Sequence, residues 1–191
     1  MKENSKKPLA IIGIIALSLL VAIVFETVFT LADKGAHPTD YSDTVQKYSK
    51  EYNVPEYIIY AIINVESGFD KNLKSESGAS GLMQLTPATF RAISSNEHLG
   101  ENLPDSKIFD PDVNIRYGAY YLSYLRKKFG NIDTALIAYH AGETNVSKWI
   151  KDSRYSDGQG NITNIPLNET KEHIDKLNKE INYYKNLYYT K

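Results

Sequence analysis

An uncharged apolar run covers residues 9–25, and after Glu26 the apolar character continues through residue 31. This run constrains the chain most, because a helix of this length that is apolar on every side has no polar face to turn toward water. Residues 9–31 comprise 23 positions. At about 1.5 Å rise per residue, an α-helix of that length crosses a hydrocarbon layer of about 30 Å. The sequence therefore predicts one transmembrane helix near the start of the chain.

Positive charge precedes the run at Lys2, Lys6 and Lys7. Such lysines usually remain on the cytoplasmic side, which predicts that everything after the helix is extracytoplasmic. A cleavable signal peptide ending at the small-residue site Thr30-Leu31-Ala32 is the alternative, and it also exports the domain. The predicted organisation is a cytoplasmic tail at residues 1–8, an anchor at 9–31, a linker at 32–40 and a catalytic domain at 41–191.

Composition excludes several classes of protein. The 22 Lys and Arg balance 23 Asp and Glu, with both signs interspersed, so no basic surface for nucleic acid is predicted. The chain has no cysteine, which excludes disulfides, a cysteine nucleophile, an iron-sulfur cluster and a lipidated cysteine. Its four histidines show no paired metal-binding spacing. We therefore predict no metal and no cofactor.

The exported part is predicted to be all-α. No segment alternates polar and apolar residues as a strand does, whereas apolar residues recur at helical spacing. Thr86-Pro87 and Asp110-Pro111 are typical helix starts, and Gly130 and Gly142 are typical helix ends. The predicted helices are 41–52, capped by Asp40, then 56–67, 87–93, 111–129, 134–141, 144–150 and 168–188, with loops at 94–106 and 151–165.

Glu66 ends the most apolar of these helices, residues 56–67, and a loop of small residues follows it. Cleaving a glycosidic bond requires a carboxylic acid that is protonated near neutral pH, and apolar surroundings favour that form. By position alone, a glutamate at a helix end is more often solvated. Asp70, the nearest other carboxylate, is predicted to be a turn residue.

Four segments in order strengthen the interpretation of Glu66. They are Glu66-Ser67-x-Phe69, Ser75-x-Ser77-x-x-x-Gly81-Leu82-Met83-Gln84-Leu85-Thr86-Pro87, Ala138-Tyr139-His140-Ala141-Gly142 and Ile165-Pro166-x-x-Glu169-Thr170. Together they resemble the soluble-lytic-transglycosylase family (SLT, family 1) of the lysozyme-like superfamily, over residues 41–180. The resemblance implies a helical domain of the lysozyme-like, goose-type-lysozyme-like fold, here after a membrane anchor.

The resemblance also implies a peptidoglycan lytic transglycosylase. Glu66 would be its single acid and base, cleaving between N-acetylmuramic acid and N-acetylglucosamine without water to leave a 1,6-anhydro ring. The residues that the family pattern assigns to substrate binding or to orienting the glutamate are Ser67, Ser75, Ser77, Met83, Gln84, Tyr139, His140 and His173. The resemblance implies peptidoglycan strands as a partner, and the N-terminal helix predicts the cytoplasmic membrane as another. Whether cell-wall, secretion or conjugation machinery is also a partner is left open by the sequence.

The sequence departs from the family at two positions. His140 stands where the family usually has asparagine, and His173 where it usually has tyrosine; Tyr183 or Tyr184 could replace the latter in space. These departures keep two alternatives open. One is a goose-type lysozyme-like muramidase, which uses water. The other is a non-catalytic peptidoglycan-binding or assembly factor.

Overall fold

A computed structural model of the chain describes residues 6–190, and side chains from residue 11 onward. The chain divides between Pro38 and Thr39 into two compact units. Most of the predicted cytoplasmic tail, residues 1–5, lies outside the described residues.

The first unit contains helix α1, Lys6–Ala36. Its segment Ile11–Ala36 is long and apolar enough to cross a membrane, and the most apolar part of that segment has no buried residues. At about 1.5 Å per residue its 26 residues extend about 39 Å. The helix continues through residues 32–36, which we predicted to be linker; Gly35 is accommodated within it, and Pro38 comes only after its end.

The described part of the second unit is helical and has no strand longer than an isolated bridge. This agrees with the predicted all-α class. Its helices are α2 (Ser42–Tyr52), α3 (Glu56–Ser67), α4 (Pro87–Ser94), a 3-10 helix (Asp105–Phe109), α5 (Pro111–Phe129), α6 (Ile132–Ala141), α7 (Glu143–Trp149), α8 (Asn168–Tyr184) and a short π-helix (Lys185–Tyr189).

Local capping chemistry explains where several of these helices begin. The Thr86 hydroxyl accepts a hydrogen bond from the backbone N–H of Thr89, and the Asp110 carboxylate accepts one from Asp112. Asn131 caps α6 by accepting from Thr134. Each side chain satisfies an N–H that has no partner inside the helix. The starts of α4 and α5 agree with the prediction, whereas α6 begins at Ile132 rather than at residue 134.

Other boundaries differ from the prediction. Asp40 does not cap α2; Tyr41 precedes that helix in a left-handed conformation, with φ 63° and no side-chain cap. The predicted loop 94–106 ends in the 3-10 helix, and α7 begins at Glu143 rather than Thr144. The last helix changes to π-helical winding after Tyr184. Short helices and helix ends carry weak periodicity, which explains these errors.

Helix α3 is the central element of the second unit. Its residues 58–63 are all buried. The helix packs extensively against α8, while α5 packs against α2 and α6. Burial stops in the last turn, where Val65 and Glu66 are only partly covered. The core therefore holds α3 in place and presents Glu66 at its boundary.

Candidate active site

Glu66 lies beside a cavity of about 480 Å³ on the surface of the second unit. Its carboxylate is largely shielded, with a side-chain exposure of 17%. The cavity is lined by Val65, Glu66, Leu73, Ser75, Ser77, Ala79, Gln84, Thr86, Tyr139, His140 and His173. Among these described lining residues Glu66 is the only carboxylic acid.

Two histidines from different helices meet beside Glu66. The rings of His140 on α6 and His173 on α8 stack with centroids 3.8 Å apart and planes 18° from parallel. The Nε2 atom of His173 lies 3.1 Å from Oε1 of Glu66. The two groups are within ion-pair distance, but their orientation does not form a hydrogen bond, and Nε2 is buried without a hydrogen-bond partner among the described residues.

His140 is held in its neutral form. Burial lowers the pKa of His140, and the neighbouring His173 lowers it further. The carboxylates of Glu66 and Glu169 act in the opposite direction but do not reverse the shift. Because the ordinary histidine pKa is about 6.5, the His140 imidazole is uncharged at neutral pH and can accept a hydrogen bond or donate an electron pair.

A tight loop, residues 80–85, forms one wall of the cavity. The backbone groups of Ser80 and Leu85 exchange two hydrogen bonds, of 2.9 and 3.1 Å, which close the loop. Gln84 adopts a left-handed conformation with φ 48°. Its Nε2 donates to the carbonyl oxygens of Leu73 and Gly81, at 3.1 and 2.9 Å. These bonds hold the Gln84 side chain against the loop.

Tyr139 connects α6 to this loop. Its hydroxyl donates a 2.9 Å hydrogen bond to the backbone carbonyl of Met83. Burial raises the pKa of Tyr139 well above its ordinary value, and the Glu66 carboxylate adds to the rise. Tyr139 therefore remains a neutral hydrogen-bond donor near Glu66.

Two of the three predicted site serines line the cavity, and the third lies outside it. The hydroxyls of Ser75 and Ser77 are 2.9 Å apart at the cavity wall, and Ser75 also accepts from the N–H of Ala79. Ser67 does not line the cavity; its hydroxyl lies 2.8 Å from the carbonyl oxygen of Leu82, to which it donates. Ser67 therefore ties the end of α3 to the loop 80–85.

These residues match a known domain. The family model for the transglycosylase SLT domain matches residues 43–162, more than half of the chain. The chain belongs to this family. The match confirms the resemblance drawn from Glu66, the loop 80–85 and the Tyr139 segment.

The relatives of this SLT domain include soluble and membrane-bound lytic murein transglycosylases. The chain is 30% identical over 150 residues to the soluble lytic murein transglycosylase of Escherichia coli K12, covering 78% of this chain and 23% of that protein. It is 29% identical over 163 residues to the membrane-bound lytic murein transglycosylase E of Buchnera aphidicola, covering 75% of this chain and 74% of that protein. The chain thus spans about a quarter of the length of the E. coli relative.

The fold agrees with a solved relative. The crystal structure of an inactive glutamate-to-glutamine mutant of the lytic transglycosylase Slt from Pseudomonas aeruginosa is 31% identical in sequence, with a TM-score of 0.66. The alignment covers 78% of this chain and 24% of that one. The lysozyme-like helical fold predicted for this SLT domain is thereby confirmed.

Seven of the nine predicted site residues line the cavity, all except Ser67 and Met83. The prediction that the Met83 thioether contacts sugar is not compatible with the structure. The side chain of Met83 is completely buried, and its sulfur lies against Gly118 of α5. Loop residues have no regular period, so the direction of this side chain was not readable from sequence.

Three further expectations concern neighbouring residues. Asp70 is exposed in a turn, where its carboxylate accepts from the N–H of Asn72, as expected of a turn residue. Neither Tyr183 nor Tyr184 lines the cavity: Tyr183 is half exposed, and Tyr184 is buried against Tyr60. Neither tyrosine therefore takes the place of His173, which itself lines the cavity.

Sequence reasoning missed the residue that supports the loop. Asn114 of α5 is completely buried; its Oδ1 accepts from the N–H of Met83 at 2.7 Å. Its Nδ2 donates to the carbonyl oxygens of Ser80, at 3.1 Å, and Ile108, at 2.7 Å. An asparagine four residues before Gly118, in line with the apolar stripe of α5, is the sequence signal that could have revealed it.

Proposed function

We propose that this chain is a peptidoglycan lytic transglycosylase in which Glu66 is the only acid and base. The observation that carries the proposal is the single carboxylic acid among the described residues lining the cavity. Hydrolytic glycosidases ordinarily use two carboxyl groups, about 5–9.5 Å apart, on opposite sides of the bond. A cleft with one carboxyl group suits a reaction in which the substrate provides its own nucleophile.

The reaction follows from that arrangement. Glu66, as the carboxylic acid, protonates the oxygen that links N-acetylmuramic acid to N-acetylglucosamine, and the bond from C1 to that oxygen breaks. The 6-hydroxyl oxygen of the muramic acid then bonds to C1, and its proton returns to the Glu66 carboxylate. No water is consumed, and Glu66 ends in its starting form.

Gln84 is placed to orient the sugar. Because its Nε2 donates to two backbone carbonyl oxygens, the identities of the amide atoms are determined: a carbonyl oxygen could not make those bonds. The Gln84 Oε1 is therefore the atom of this amide that can act as an acceptor, and Gln84 lines the cavity. We infer that it accepts the N–H of an acetamido group, which positions that group to stabilise positive charge at C1.

The P. aeruginosa relative supports the role of Glu66, since its inactive mutant replaces a glutamate by glutamine. The test uses the full chain in detergent, incubated with purified peptidoglycan, and mass spectrometry of the released sugars. Wild-type protein is expected to release fragments ending in 1,6-anhydro-muramic acid. Glu66→Gln should release at least about a hundredfold less, because general acid-base catalysis contributes about 10²–10⁴ in rate.

Glu97→Gln is the matched control, since Glu97 is an exposed carboxylate outside the cavity; it should behave as wild type. Reducing muramic acid ends that depend on Glu66 would instead establish a muramidase. Strand binding with no more release by wild type than by Glu66→Gln would contradict catalysis and favour a binding or assembly factor.

We also propose that α1 anchors the protein, with the amino terminus cytoplasmic and the SLT domain outside. The apolar segment Ile11–Ala36 and the membrane-bound relative support association with a membrane. Protease added to protoplasts should digest the SLT domain and leave a tag at the amino terminus intact. An intact mass beginning near Asp33 in the culture medium would instead indicate signal-peptide cleavage.

A further inference from the structure

Three side chains beside the cavity form a mixed ligand set that the sequence does not reveal. Glu66, His140 and His173 each offer one ligand atom, and these atoms all lie within 4.8 Å of one another. They come from three different helices, α3, α6 and α8. Two imidazoles and one carboxylate are ligands that Zn²⁺ and related divalent transition metals accept, with one coordination position left open.

The environment differs from a surface cluster of charges. The side chains of Glu66 and His173 are only 17% and 18% exposed. The buried Nε2 of His173 lies 3.1 Å from the Glu66 carboxylate and forms no hydrogen bond with a described residue. A metal ion between these atoms would satisfy both. Since all three residues line the open cavity, an ion can reach them from solvent.

One of the three separations already suits a first-row ion, and the ligand atoms of all three residues lie within 4.8 Å of one another. Ligand atoms about 2.0–2.1 Å from a tetrahedral zinc lie about 3.3 Å apart, close to the 3.1 Å between His173 and Glu66. The stack of His140 on His173 must open, because nearly parallel rings hold their nitrogen electron pairs in separate planes that do not meet at one ion. Rotation of the rings about χ2 would make them converge on one ion.

We propose that Glu66, His140 and His173 bind a zinc-type divalent metal ion and that the bound ion blocks Glu66. A carboxylate coordinated to zinc has no proton to donate to the glycosidic oxygen. Metal binding stands independently of the proposed reaction, whereas the inhibition rests on it.

Binding is measured by titrating Zn²⁺ into untagged, chelator-treated full chain in detergent, in a phosphate-free buffer, by calorimetry. One ion per chain is expected. His140→Asn, His173→Tyr and Glu66→Gln should each weaken binding at least about tenfold, since loss of even an indirect partner of a metal ligand costs about 10–100-fold. His98→Asn is the control, because His98 lies outside this cluster and pairs with Tyr120.

A second measurement uses the wild-type protein, so its result cannot be confused with a variant that fails to fold. Zinc X-ray absorption of the wild-type complex should show two imidazole ligands and one or more oxygen ligands. No binding at about millimolar zinc or fewer than two imidazoles in the spectrum would overturn the site. So would unchanged affinity in the double histidine variant, which combines His140→Asn with His173→Tyr.

Inhibition is tested separately, as the ratio of sugar release in chelator to release in saturating zinc for each protein. The ratio should be large for wild type and His98→Asn and close to one for the double histidine variant. An equal ratio in wild type and the double variant would refute inhibition. If wild type binds zinc but never cleaves in chelator, the proposed enzyme activity fails while the metal site stands.

Discussion

Replacing Asn114 by alanine is expected to destabilise the SLT domain strongly. The side chain is completely buried and bonds three backbone groups, the N–H of Met83 and the carbonyl oxygens of Ser80 and Ile108. Alanine removes all three bonds and leaves the three groups without that partner. Because they lie in the interior, water does not readily replace the lost partner.

The magnitude follows from those three bonds. A hydrogen bond contributes about 1 kcal/mol net, and a buried polar group left unsatisfied costs about 1–3 kcal/mol. The Ser80 carbonyl keeps its bond from the Leu85 N–H, so the change removes one bond there and leaves two other groups unsatisfied. The loss is therefore about 3–5 kcal/mol, after a gain of less than about 1 kcal/mol from the higher helix propensity of alanine. Since domains of this size are stable by only about 5–15 kcal/mol, the variant should be close to its folding threshold.

The assay is urea unfolding of the full chain followed by fluorescence of Trp149, the only tryptophan in the sequence. Asn178→Ala is the control, because Asn178 is an exposed asparagine inside α8; its free energy of unfolding should change by less than about 0.5 kcal/mol. Asn114→Asp keeps the volume and the acceptor for Met83 but directs a carboxylate at two carbonyl oxygens, so it should lose at least as much. A loss below about 1 kcal/mol for Asn114→Ala would refute the reasoning.

Three other changes test neighbouring features. Gly118→Ala should lose about 1–3 kcal/mol, since a Cβ there overlaps the Met83 sulfur; a double-mutant cycle with Met83→Ala should show coupling, and strict additivity would exclude the clash as cause. Ser67→Ala should lower the free energy of unfolding by about 1 kcal/mol, because the hydrogen bond to the Leu82 carbonyl is lost. An unchanged midpoint in urea unfolding would contradict this. Burial, aided by the charge of Glu56, raises the pKa of Tyr60 to about 12. The unfolded chain therefore loses that proton near pH 10 while the folded chain keeps it, so stability is present below about pH 10 and declines as pH rises toward 12; Tyr60→Phe should decline less, and identical pH profiles would contradict the assignment.

Local sequence determined most of the helices and the place of Glu66 on one of them. Thr86, Asp110 and Asn131 satisfy backbone N–H groups only a few residues away, so their chemistry acts whatever the rest of the chain does. The apolar residues around α3 required burial on most of its sides, which placed Glu66 at the end of a core helix. Several linked motifs then identified the family.

Tertiary structure decided how the site is assembled. His140 and His173 are far apart in sequence, and only the packing of α8 against both α3 and α6 brings their rings together beside Glu66. The loop 80–85 has no periodicity, so Gln84 facing the cavity and Met83 facing the core depend on long-range bonds. Those bonds come from Asn114 and Tyr139. Capping and periodicity act over a few residues, whereas convergence of side chains from distant helices depends on how the whole core packs, and this is why the sequence alone predicted the chemistry but not the geometry.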